Sequence, residues 1–175
     1  MQAADPVEDP KGYTEFVLAY LGDDDPEEVQ ASTPSALRDL VGQAGDLVRV
    51  RPAEGEWSVL ECLGHMTGAE IVSTARYRWI VAEDEPELVA YDQDLWVERL
   101  RPNDEDPEIV LGLFEALRKA NLALWARSTK EERARVGMHT ERGPESYELV
   151  FRLIAGHDRL HTEQAERTLE SVRER

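Results

Sequence analysis

Lysine is nearly missing from this 175-residue chain: only Lys11, Lys119 and Lys130 stand among 20 basic residues, the rest being arginine. Against them stand 37 acidic residues, for a net charge of −17. A field of that sign repels nucleic-acid backbones and anionic membranes. No basic stripe interleaved with aromatics offsets it, which excludes nucleic-acid binding as a primary role. Long apolar runs are also missing; none nears the roughly 20 residues that cross a bilayer. The first residues, MQAADPVEDPKGY, carry acids where a secretory signal would carry a basic and then an apolar segment. We therefore expect a cytoplasmic protein. A single cysteine, Cys62, excludes an intramolecular disulfide and suits a reducing compartment. It lies in an apolar helical stretch and reads as a small buried hydrophobe rather than a nucleophile or ligand.

Strand signals, internal repeats and low-complexity tracts are scarce too, which leaves helical periodicity as the dominant pattern. Tyr13 to Leu21 forms a short amphipathic segment, followed by the acidic turn GDDDPEE. Thr33-Pro34 reads as an N-cap with proline at the first helical position, and Leu37, Leu40, Val41, Ala44 and Val48 continue at helical spacing. Ser58-Val59-Leu60-Glu61 is a capping box opening a second helix that runs to about Ala82. The stretch from Glu83 to Pro107 reads as irregular, and a connection that long crosses a fold or covers a cleft. A third helix opens at Pro107 with Val110, Leu113, Phe114, Leu117, Leu124 and Trp125 on one face. Thr129 to Arg133 adds a short turn, and Ser146 caps a fourth long helix. The expectation is an all-α four-helix bundle over residues 31–175, preceded by an extension with a short helix over 1–30.

The chain has four histidines. His157 and His161 are four apart in the fourth helix, so their rings lie one turn apart on the face that should point inward. His65 lies in the second helix, with Gly64 and Gly68 beside it. A dry core that gathers three imidazoles must satisfy six ring nitrogens, and a divalent metal satisfies three of them at once. Ordinary buried histidines with hydrogen-bond partners remain the competing reading. Residues 157–161 read His-Asp-Arg-Leu-His, so the zinc-protease motif HExxH is not present. Asp158 points about 100° away from His157 around the helix and reads as an exposed charge. Glu61 sits four residues before His65, where it could support or ligate a metal, although its capping role is the simpler account. Gln164 follows His161 by three and is placed to orient its ring. His139 lies too far along the chain to join. Asp92, Asp94 and Gln93, in a segment rich in aromatics, could reach the mouth of the bundle, or else cap a helix and plug it. Trp57, Trp79, Trp96 and Trp125 read as core or pocket wall, and Arg76 as a group that orients the polar end of a substrate.

The run Glu56-Trp57-Ser58-Val59-Leu60-Glu61-Cys62-Leu63-Gly64-His65, with His157, His161 and Gln164 about ninety residues later, resembles the DinB/YfiT-like superfamily. The resemblance covers roughly residues 30–172. It implies an up-down-down-up four-helix bundle with a long crossover between helices two and three. It also implies His65, His157 and His161 as ligands of a nickel, zinc, iron or manganese ion, and frequent homodimers. Characterised branches of the superfamily include enzymes that use low-molecular-weight thiols such as bacillithiol. The implied activity is therefore a metal-dependent S-transferase acting on a small-molecule substrate in detoxification or stress response. A metal-dependent hydrolase and a non-catalytic metal-binding protein are the alternatives.

Overall fold

The computed structural model describes residues 9–175. Asp9 caps helix α1 (Pro10–Leu21), and Asp25 caps α2 (Pro26–Ala44), accepting from the amides of Glu27 and Glu28. A 3-10 turn (Gly45–Arg49) leads to α3 (Val59–Ala82), which opens with the expected box: Ser58 Oγ accepts from Glu61 N, and Glu61 accepts from Ser58 N. Strand β1 (Glu87–Leu88), α4 (Gln93–Leu100) and a second 3-10 turn (Pro102–Asp104) fill the crossover. Then come α5 (Pro107–Arg127), the one-turn α6 (Lys130–Arg133), β2 (Val136–His139), β3 (Gly143–Ser146) and α7 (Tyr147–Arg173). The four long helices α2, α3, α5 and α7 form the bundle, and α1 packs along α7.

Three expectations are corrected here. The first long helix starts at Pro26 rather than at Thr33-Pro34, because the Asp25-Pro26 pair supplies an earlier cap. Pro34 lies inside α2, and the carbonyl it leaves without an amide, Gln30 O, accepts instead from Arg118 Nη1 at 3.0 Å. The crossover is not irregular: Asp92 accepts from Leu95 N and starts a two-turn helix. Third, β1, β2 and β3 form a small sheet with β1 parallel and β3 antiparallel to β2. Its strands are too short for their period to show in the sequence, and β1 is held by pairing with residues about fifty positions later.

Two apolar cores lie along the bundle. One gathers Leu37, Leu60, Leu63, Met66, Phe114 and Leu169; the other gathers Tyr77, Ile80, Leu88, Trp125, Tyr147 and Phe151. Each fully buried leucine or phenylalanine is worth about 1.5–3 kcal/mol relative to exposure. Trp125 and Phe151 stack with centroids 3.9 Å apart. Trp79 departs from expectation at 40% exposed, as does Leu113 at 44%. Between the two cores, along α3, α5 and α7, run the buried polar residues His65, Glu70, Arg118, Asn121, His157, Asp158 and His161.

Two glycines position this polar layer. A Cβ on Gly156 would lie 2.2 Å from Val17 O, so α1 reaches α7 only because position 156 has no side chain. A Cβ on Gly64 would lie 2.4 Å from the ring of Pro102, so the crossover seats itself beside His65 for the same reason. Among the described residues no helix is long and apolar enough to cross a membrane.

Candidate metal centre

His65 comes from α3, one turn past the capping box that fixes its start, while His157 and His161 come from consecutive turns of α7. Their Nε2 atoms converge: His65 Nε2 lies 2.8 Å from His157 Nε2 and 3.2 Å from His161 Nε2. All three are buried. Burial, then the neighbouring rings, pushes the pKa of His65 and of His157 well below the ordinary histidine value, and burial brings His161 to about 4. The rings are therefore neutral near pH 7, the form that offers lone pairs.

His161 Nδ1 donates to Gln164 Oε1 at 2.8 Å. That hydrogen bond fixes the tautomer and leaves the Nε2 lone pair facing the cluster. Trp57 covers the outside, with its ring centroid 5.0 Å from that of His65 and 6.1 Å from that of His161.

The donor set fits a divalent transition metal. Zinc–nitrogen bonds of about 2.0–2.1 Å set tetrahedral ligand nitrogens about 3.3 Å apart, and the observed separations of 2.8 and 3.2 Å are close to that. Among the described residues His65, His157 and His161 are the group placed to share an ion, and no carboxylate joins them. A three-imidazole set leaves positions open for a reactant.

The other expected residues fall around this cluster rather than in it. Both oxygens of Glu61 are taken, by Ser58 N and by the Arg51 guanidinium, so its position serves the helix cap and not the cluster. Arg76, Asp92 and Asp94 line a cavity of about 490 Å³ to which His157 also contributes. Trp57, Asp94, His161 and Gln164 line a second, more open cavity of about 600 Å³. Trp96 and His65 face a third and much smaller space of about 50 Å³ under α4. The start of α4, shared by the two large cavities through Gln93 and Asp94, thus lies between the two openings to the histidines. Cys62 is buried, and burial, then Glu61, pushes its thiol up to about 12.

Asp158 is the clearest correction. It is 2% exposed, not a surface charge, and it accepts from Arg118 Nη2 at 3.0 Å and from Thr33 Oγ1 at 3.1 Å. Arg118, itself 1% exposed, also bonds both oxygens of Glu70, at 3.0 and 2.9 Å. Burial opposes the charge on Arg118, but Asp158 and Glu70 outweigh it and hold its pKa above the ordinary value. This network, which fixes α7 at the residue next to His157, was not visible in the sequence. Tyr13 and Val17 of α1 were missed as well, and both line the 490 Å³ cavity beside His157.

Comparison with known proteins bears on the family and the fold. Residues 27–165 match the profile of the DinB superfamily, most of the chain, and the protein belongs to that superfamily. A protein of Geobacillus thermodenitrificans (strain NG80-2), provisionally named a metal-dependent hydrolase, is 26% identical over 120 residues, 67% of each chain. The structure of YfiT from Bacillus subtilis, described as a "probable metal-dependent hydrolase with an unusual four-helix bundle topology", superposes with a TM-score of 0.75 at 20% identity. The match covers 94% of this chain and 88% of that one.

Proposed function

We propose that the protein is a metal-dependent enzyme, with His65, His157 and His161 as the ligands of a divalent transition metal. The observation that carries this reading is the convergence of three buried, neutral Nε2 atoms with no carboxylate beside them. An ion held there would supply Lewis acidity and lower the pKa of a bound water or thiol. The chain's own residues do the rest. Gln164 orients His161, Trp57 shields the cluster from bulk water, and the cavity beside His157 holds a small-molecule substrate.

The names of the two relatives favour water as the nucleophile, hence hydrolysis. One observation favours the second reading, transfer of a low-molecular-weight thiol of the bacillithiol type in detoxification. Glu61 and Asp158 are locked in ion pairs, which leaves only Asp92 and Asp94 on the cavity walls as candidate bases among the carboxylates expected at the site, and a metal-bound thiol needs none. Assays of zinc-loaded protein on model esters and amides, and on monochlorobimane with bacillithiol, mycothiol and glutathione, separate the two. Activity confined to the esters or amides supports hydrolysis, and thiol consumption supports transfer. Metal-loaded protein inert in every assay would leave a non-catalytic metal-binding protein.

Exposed Ile71 on α3, with Ile109 and Leu113 on the adjoining α5, offers apolar surface for the homodimer we expect; sedimentation equilibrium tests it. The unpaired buried Cys62 supports placement in the reducing cytoplasm.

A further inference from the structure

Two arginines are buried in this bundle, and they are treated oppositely. Arg118 is 1% exposed and lies between Glu70 and Asp158. Arg76 is 7% exposed and has no carboxylate within ion-pair distance among the described residues. Its Nη2 donates to Val89 O at 2.7 Å, and its Nε has no partner among the described residues. Among the described residues, the one other hydrogen-bond contact of its guanidinium is with His139 Nε2, at 3.3 Å. A neutral imidazole has one lone pair to offer, and His139 gives it at Nδ1 to the backbone amides of Glu141 and Arg142, at 3.2 and 3.3 Å. Its Nε2 then carries hydrogen and is no acceptor for Arg76. The neighbouring Arg142 is occupied by Glu145.

A guanidinium buried without an ion-pair partner is costly, and an anion entering the cavity would offset that cost. Burial, then Arg142, lowers the pKa of Arg76, with Glu145 opposing but not cancelling the fall.

Arg76 lines the 490 Å³ cavity that also takes in His157. It stands eleven residues beyond His65 on α3, about 16 Å along the helix axis, so one ligand reaching both would be elongated. Between them the wall carries Val17, Ala69, Val72, Val150 and Ile154 beside the polar Tyr13 and Ser73. The exposed acids Asp92, Asp94, Glu98 and Glu141 also line the cavity. One buried positive charge in a partly apolar cavity flanked by acids suits a single negative charge on a partly aliphatic body and disfavours a dianion. We infer that Arg76 docks the carboxylate of an elongated, partly aliphatic substrate whose reacting end lies at His157. This rests on the enzymatic reading given above and specifies its substrate class.

The test uses hexanoate and hexanamide as probes, titrated calorimetrically into metal-free and zinc-loaded full-length protein, with Arg76→Gln and Arg76→Lys beside the wild type. Hexanoate should bind wild type at least about tenfold more tightly than hexanamide; Arg76→Gln should abolish that preference and Arg76→Lys keep part of it. Side-chain ¹⁵N spectra of the wild type should show the Arg76 Nε resonance moving with hexanoate and not with hexanamide, a readout that needs no variant to fold. Equal binding of the two probes, an unmoved Nε resonance, or hexanoate affinity unchanged in Arg76→Gln would overturn the inference. Tighter binding of inorganic phosphate than of hexanoate would overturn the carboxylate class. Because the metal-free arm does not involve the histidine cluster as a metal site, hexanoate binding there supports the subsite even if the wild type proves to hold no metal.

Discussion

Gln164 Oε1 accepts from Nδ1 of His161 across one turn of α7, and this 2.8 Å contact determines that the ring's other nitrogen faces His65. A glutamine three residues after a histidine is therefore part of the centre's geometry without touching its interior. Gln164→Ala should lower zinc affinity by about 10–100-fold, measured by competition with a chromogenic chelator, while leaving the urea midpoint almost unmoved. Gln164→Glu, which still accepts, should retain most of the affinity. Equal zinc affinity in Gln164→Ala and wild type would remove Gln164 from the site.

Glu61 gives the opposite expectation. Its oxygens serve Ser58 N and Arg51, so Glu61→Gln should weaken the start of α3 by about 1 kcal/mol in urea denaturation and leave zinc stoichiometry unchanged. A loss of bound zinc in this variant would make Glu61 a ligand.

Arg118→Met leaves Glu70 and Asp158 buried with no cation between them. Removing one partner of such a network costs about 3–5 kcal/mol, and the urea midpoint should fall accordingly. A variant as stable as wild type would show that the network is not required for stability.

His139 supplies a pH dependence away from the three-histidine cluster. Burial, then Arg142, lowers its pKa to about 4, with Glu145 opposing and Arg76 adding to the fall. The unfolded chain protonates this ring near 6.5, while the folded chain refuses the proton until about 4. Between those values the unfolded state binds more protons, so stability falls as pH falls through that window and the loss levels off below it. In metal-free protein, the difference between wild-type and His139→Gln stability should therefore change between pH 6.5 and 4 and stay flat from 6.5 to 8. A flat difference throughout would show that His139 takes up its proton as readily in the fold as in the unfolded chain.

The sequence carried local information well and long-range information poorly. The Ser58–Glu61 box, the helix opening at Pro107, the cap at Ser146, and the one-turn spacing of His157 and His161 depend on residues within four positions, and all are present in the structure. Arg118 reads as an ordinary charged helix position because its partners Glu70 and Asp158 are 48 and 40 residues away. Asp158 misled for the same reason: helix geometry turns it away from His157, and only packing of α2 and α5 shows that the other face is also buried. Pro34 misled because a proline that begins a helix and one tolerated inside it look alike until Arg118 is seen at the Gln30 carbonyl. Arg76 reads in the sequence as a group that orients a substrate's polar end, and its neighbours Val89 and His139 emerge only when the chain folds.

The central claim is that three convergent imidazoles hold a metal, and elemental analysis tests it most directly. Wild-type protein and His161→Ala are purified without chelators, incubated in turn with zinc, nickel, iron(II) and manganese, desalted, and measured by inductively coupled plasma mass spectrometry. About one equivalent of at least one of these metals should remain per wild-type chain, and close to none in His161→Ala folded to the same helical content. A folded wild-type protein that retains none of the four would contradict it.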